Sequence, residues 1–152
     1  MKKTFDNLAD LPAHVGQDVA ISDWLTISQD QINQFATATL DHQWIHTDPE
    51  RAKNGPFGTP IAHGFLTLSL LPAMFATAFE IKQTRMGINY GLNKVRFTAP
   101  VPVGSRLRGH MHLLACEAIE PQGLQMTWRV TVECEGAEKP VCVAESLVRH
   151  YA

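Results

Sequence analysis

Several things are missing from this chain of 152 residues, and each absence excludes a class of function. No glycine-rich phosphate loop, dinucleotide-binding fingerprint or nucleophile elbow occurs, so the familiar nucleotide-binding and serine-hydrolase motifs are absent. The 13 Lys and Arg against 15 Asp and Glu leave a formal net charge of −2, with no basic block. Nothing here builds a phosphate-backbone footprint, and no nucleic-acid partner is expected. Cysteine is scarce: Cys116, Cys134 and Cys142 show no C-x-x-C spacing. They read as small reduced residues on strands, which suits a cytoplasmic protein. After Met1-Lys2-Lys3 the chain turns polar at Phe5-Asp6-Asn7-Leu8, which does not fit a signal peptide.

Long apolar runs are also rare, with one exception. Ile61 to Phe79 is nineteen residues without Lys, Arg, Asp or Glu. His63, Thr67, Ser69, Pro72 and Thr77 dilute it, so it reads as a helix buried in a protein core, not a membrane span. Pro72 removes one backbone hydrogen bond and kinks or divides that helix.

Around this run the patterns are clear. Val19 to Ile27 is a short strand with a break at Asp23. Ser28-Gln29-Asp30-Gln31 fits a capping box and starts a helix ending near Thr39. Asp48-Pro49 is a second helix start, and 54–60 is a loop rich in Gly and Pro, a candidate rim over a site. From residue 88 the periodicity switches to two. Ile88, Tyr90 and Leu92 alternate, and parity changes at Asn93-Lys94, which predicts a bulge before Val95 and Phe97. Further strands cover 106–116, 125–134 and 141–151, with Met126, Trp128, Val130 and Val132 inward.

The order is strand, short helices, loop, long apolar helix, then four strands in hairpin succession. A single antiparallel sheet beside such a helix must wrap around it. The expectation is an α+β hot-dog fold over 1–152 as one domain, pairing across a sheet edge into a homodimer or a dimer of dimers.

Asp41-His42-Gln43-Trp44-Ile45-His46 carries the candidate chemistry. A carboxylate and an imidazole that address one water can take its proton and return one. The cap at Asp48 predicts irregular backbone at His46, between two short helices. Fifteen residues on, Ile61-Ala62-His63-Gly64 opens the apolar helix. Its first amides lack intrahelical acceptors, so the Gly64 N–H can face an oxygen that gains negative charge. His63 can add a polar contact. His42 and His46, four apart, raise a metal reading with Asp41 or His63 as further ligands; the helix start at Asp48 and the missing H-E-x-x-H weigh against it. Arg106, Arg108, His110 and His112 on one strand face read as a solvated surface that can also meet phosphates.

These residues together resemble the MaoC-like dehydratase family of R-specific enoyl-CoA hydratases, closest to the nodulation-protein-N-like branch. Phe35, Asp41, Ile45, His46 and Ala52 match the hydratase signature, 61–66 the start of the central helix, and Asn93-Lys94-Val95-Arg96-Phe97 with Pro100, Val101 and Gly104 the strand and turn that follow. The resemblance implies reversible addition of water to a trans-2-enoyl thioester, with acyl-CoA as substrate partner. Asp41 and His46 are then the catalytic pair, Gly64 the oxyanion-hole amide, and Gln43, Trp44 and His63 substrate contacts. No cofactor, metal or membrane is implied. The family's usual Asn falls at Gln43 and its Pro at Trp44. Those departures keep open a non-catalytic acyl-CoA or acyl-lipid binder, and a hot-dog thioesterase is a further alternative.

Overall fold

The computed structural model describes residues 2–152. Its main sheet is built by alternation. On β7 (Gly123–Cys134), Leu124, Met126, Trp128, Val130 and Val132 are all buried, while the residues between them face outward. β6 (Arg106–Ile119) and β8 (Cys142–Tyr151) flank β7 antiparallel and send Leu107, Met111 and Leu113, and Cys142, Ala144 and Val148, to the same face. β2 (Asp18–Ile21) and β3 (Leu25–Thr26) both pair with β6, with the break expected at Asp23 between them.

β5 (Met86–Arg96) departs from the expected hairpin order. It pairs with β8, not with β6, so the sheet runs β2-β6-β7-β8-β5 and β5 lies at an edge. The connection from β5 to β6 is therefore a crossover at the end of the sheet. The register slips between Leu92 and Lys94, where the parity change predicts a bulge, and again between Asn89 and Gly91. β1 (Lys3–Phe5) and β4 (Phe79–Ile81) form a separate parallel pair.

The apolar run lies against the inner face of the sheet as two helices. α4 (Gly64–Ser69) and α5 (Leu71–Ala78) meet at Leu70, and Pro72 sits in the first turn of α5, where its missing N–H costs nothing. The expected helical end at Phe79 is instead the first residue of β4. Leu66, Leu71, Met74 and Ala78 are buried against Trp128, Val130 and Met111 in one core. Apolarity all round does not bury the helices all round: Phe65, Ser69, Pro72, Ala73 and Ala76 form an exposed stripe.

Three short helices precede this core. The Ser28 hydroxyl accepts from the Gln31 N–H at 3.1 Å and starts α1 (Gln29–Thr39), which buries Ile32 and Ala36. Leu40 ends it in the left-handed region at φ 65° and turns the chain toward Asp41. The Asp48 carboxylate accepts from the Arg51 N–H at 3.1 Å and starts α3 (Pro49–Lys53). Between them Trp44–Thr47 is a single helical turn, α2, so His46 is not in irregular backbone as expected. The Gln43 carbonyl accepts from the His46 and Thr47 N–H groups and makes that turn.

Candidate active site

Two hydrogen bonds fix where His46 points. Its backbone carbonyl accepts from the Gln29 side-chain amide of α1 at 2.8 Å, and its ring Nδ1 lies 2.6 Å from the Ile61 carbonyl. A carbonyl only accepts, so Nδ1 carries the proton and Nε2 carries the lone pair. The segment supplying that carbonyl is pinned on both sides. The Ile61 N–H donates to the Ile45 carbonyl at 3.0 Å, and the Ala62 N–H donates to the Val101 carbonyl at 2.8 Å. The loop, α2 and the turn before β6 therefore meet at one point.

His63 belongs to the same cluster. It is 2% exposed and immediately precedes α4. Its Nε2 donates to the backbone carbonyl of Asp41 at 3.0 Å. Its ring stacks on that of His46, centroids 3.9 Å apart at 23°, and the Phe35 ring of α1 lies tilted against it at 4.9 Å. Its Nδ1 is buried without a hydrogen-bond partner, as is the hydroxyl of Thr67 one turn further on. Asp41 is exposed, and its carboxylate accepts from the Gln43 N–H at 3.3 Å, closing a local turn. One donor atom from each of Asp41, His46 and His63 lies within 4.8 Å of the others. The pair weighed from spacing, His42 with His46, is thus not the set that converges.

Burial holds the His46 pKa below the usual 6.5 by disfavouring the imidazolium, and neighbouring His63 pushes the same way. The hydrogen bond to Ile61 and the nearby Asp41 charge oppose this without cancelling it. His46 is therefore a neutral base at neutral pH, with its proton on the far nitrogen.

A cavity of about 380 Å³ opens beside the cluster, lined by His46, Phe57, Ala62, Gly64, Thr67 and Phe97 among others. Gly64 begins α4, so its N–H has no intrahelical acceptor, and the residue lines the cavity. A Cβ at Gly64 would sit 2.8 Å from the Phe97 ring. The glycine is needed for that packing as well as for access. Phe57 brings the Gly- and Pro-rich loop to the cavity, as expected of a rim.

The other candidates lie elsewhere. The Trp44 ring packs on Gly55 and under the Arg51 guanidinium at 4.3 Å, outside the cavity lining. Gln43 starts α2 and is exposed. A larger hollow of about 790 Å³ lies on the outer face of the sheet. There Glu133 accepts from both Arg108 and His110, and His112 pairs with Asp18 at 2.7 Å. Arg106 pairs with Glu135 at 2.8 Å, and Arg106 and Arg108 both lie over the Trp24 ring. Each of these four side chains thus has a carboxylate partner on the outer face. Two residues escaped the sequence reading: Gln29, which holds the His46 carbonyl, and Ile61, whose carbonyl sets the His46 tautomer. Neither contact has a motif, because both are made across loops.

An antiparallel sheet packed on a central helix pair is the hot-dog fold, and here Asp41, His46 and His63 converge beside the start of the first of those helices. Residues 10–135 match the MaoC-like domain model, and the chain belongs to that family. It is 56% identical over 150 residues to 3-hydroxyacyl-thioester dehydratase Z of Mycobacterium tuberculosis, covering 99% of both chains. Nodulation protein N of Rhizobium leguminosarum bv. viciae is 49% identical over 140 residues, 91% of this chain and 87% of the relative. Among solved structures, the MaoC-like dehydratase of Rhodospirillum rubrum superposes with a TM-score of 0.77 at 22% identity, over 95% of this chain and 96% of that one.

Proposed function

We propose that this protein adds water reversibly across a trans-2-enoyl thioester to give the R-3-hydroxyacyl thioester, with acyl-CoA as the substrate. At the coarser level it is a hydro-lyase of 3-hydroxyacyl thioesters, as its family and its relatives' names indicate. The observation that carries the finer reading is the convergence of Asp41 and His46 beside the free amide of Gly64.

In hydration, His46 Nε2 and the Asp41 carboxylate hold one water. The water oxygen bonds to Cβ and one of its protons passes to the pair. The C=C electrons move toward the thioester carbonyl, whose oxygen gains negative charge against the Gly64 N–H. A proton from the pair then reaches Cα and restores the carbonyl. Dehydration is the same path reversed. His63 supports the site through the Asp41 carbonyl and its stack on His46.

The acyl chain has room along α4 and α5. Beyond the first cavity come hollows of about 380 and 390 Å³ between these helices and β5. Asn89 lines both, and Gly87 lines the second. A second copy would cover the exposed helix stripe and the β5 edge, so the working form is a homodimer. Cys116 and Cys142, both pushed up to about 11 by burial, are held as inert thiols, in keeping with a cytoplasmic protein.

The test is loss of enoyl absorbance from crotonyl-CoA and longer enoyl-CoAs. No loss at any chain length, with saturable acyl-CoA binding, would favour the non-catalytic binder. Release of free thiol would favour a thioesterase.

A further inference from the structure

The hydrogen bonds of the two stacked histidines have a second reading. Metal-binding histidines almost always donate their outer N–H to a carbonyl or carboxylate, which fixes the tautomer and turns the inner nitrogen to the ion. His46 donates Nδ1–H to Ile61, and His63 donates Nε2–H to Asp41, both to backbone carbonyls. The nitrogens left over are His46 Nε2 and His63 Nδ1, and the latter is buried without a partner in a residue 2% exposed. Such an orphaned acceptor calls for a guest. Asp41 adds a carboxylate, and one donor atom from each of the three side chains lies within 4.8 Å of the others.

We propose that Asp41, His46 and His63 capture a divalent transition ion, zinc foremost, and that the ion shuts the active site by occupying the free nitrogen of His46. The donor set selects the ion: imidazole suits zinc, cobalt, nickel and copper, whereas magnesium and calcium seek oxygen cages. A zinc ion at about 2.1 Å from each donor needs donors about 3.4 Å apart. From 4.8 Å the widest donor pair must therefore close by about 1.4 Å. The exposed Asp41 carboxylate is free to swing inward, while the stacked rings tilt. His46 is the member of the set that lines the cavity. Capture stands on geometry alone; inhibition rests on the hydro-lyase reading.

The experiment uses the untagged full chain, stripped with a chelator and titrated with cobalt as the spectroscopic stand-in. A single ion per chain should bind with visible d–d bands of low coordination and no thiolate band, since the cysteines lie elsewhere. Zinc should displace it and magnesium should not. His63→Gln keeps a donor for the Asp41 carbonyl but removes the ring nitrogen, and should weaken cobalt binding at least about tenfold. Asp41→Asn, at an exposed position, gives the same reading if the first variant folds poorly. In the enoyl assay zinc should inhibit the parent protein, with magnesium inert.

Equal cobalt affinity in the parent and both variants overturns the site, because the remaining surface histidines would then account for it. Thiolate bands overturn it as well. Cobalt capture in a protein that hydrates no enoyl-CoA upholds the site and counts against the proposed function. Turnover unaffected by zinc overturns the inhibition.

Discussion

At the scale of single residues, the chemistry depends on which nitrogen of His46 is free. The Ile61 carbonyl holds the Nδ1 proton, so Nε2 is the nitrogen left to act as base in the proposed reaction. Asp41→Asn and His46→Gln should each lower kcat/KM for crotonyl-CoA by about 10²–10⁴-fold, the usual yield of general acid–base catalysis. Far-UV circular dichroism should not change, since Asp41 is exposed and Gln can still donate to Ile61. An undiminished rate in both would remove the mechanism. The pH profile carries a sign. Burial lowers the His46 pKa, so the base form persists below the usual 6.5. The acid limb of kcat/KM should therefore fall below pH 6.5, and a limb above it would count against His46 as the base. Asp41, His46 and Gly64 were legible in the sequence because a helix end, a helix start and a glycine bracket them. The His63 stack was not, since ring orientation follows from where Phe35 and α2 come to lie.

At the scale of elements, strain and packing sit next to the site. Leu40 holds φ 65° at the end of α1 while 81% exposed, so it gives little burial in return for a conformation costing about 1–2 kcal/mol. Leu40→Gly relieves that cost and loosens the unfolded chain by about 0.5–1 kcal/mol. The net expectation is a gain of about 0.5–1 kcal/mol in urea unfolding, and a loss would show that Leu40 makes contacts that outweigh the strain. Gly64→Ala pushes a methyl into the Phe97 ring, 2.8 Å away. Overpacking of this kind costs about 1–3 kcal/mol, part of which Phe97→Leu should return in the same chain. The elements themselves were largely readable: alternation on β7, the cap at Ser28 and the break near Pro72 are local signals. The place of β5 was not. Hairpin succession is a rule for short turns, and the segment after Phe97 is long enough to carry the chain across the sheet's end to β6.

At the scale of the whole molecule, acid acts through two imidazoles, buried His46 and partly buried His150. Burial lowers the pKa of both His46 and His150 below 6.5. Each binds a proton more readily unfolded than folded. Their contribution is fully present above pH 6.5 and is lost as pH falls through the folded values. Tm should thus decline below pH 6.5, and less so in His150→Gln. Charge elsewhere leaves the assembly to apolar surface. β5 exposes Met86, Ile88, Tyr90 and Leu92 between 44% and 56%, and its outer edge pairs with no strand among the described residues. Phe65 stands 67% exposed beside it on α4. An edge this long and apolar invites self-pairing unless it is covered, and a second copy would cover it symmetrically, as the proposed homodimer requires. Leu92→Lys with Phe65→Glu should halve the mass seen by light scattering while far-UV circular dichroism persists. The β5 side of the acyl groove loses its cover at the same step, so KM for long enoyl chains should rise more than KM for crotonyl-CoA. A parent protein that runs as a monomer would overturn the pairing. A dissociated variant with KM unchanged at every chain length would place the whole acyl groove within one chain.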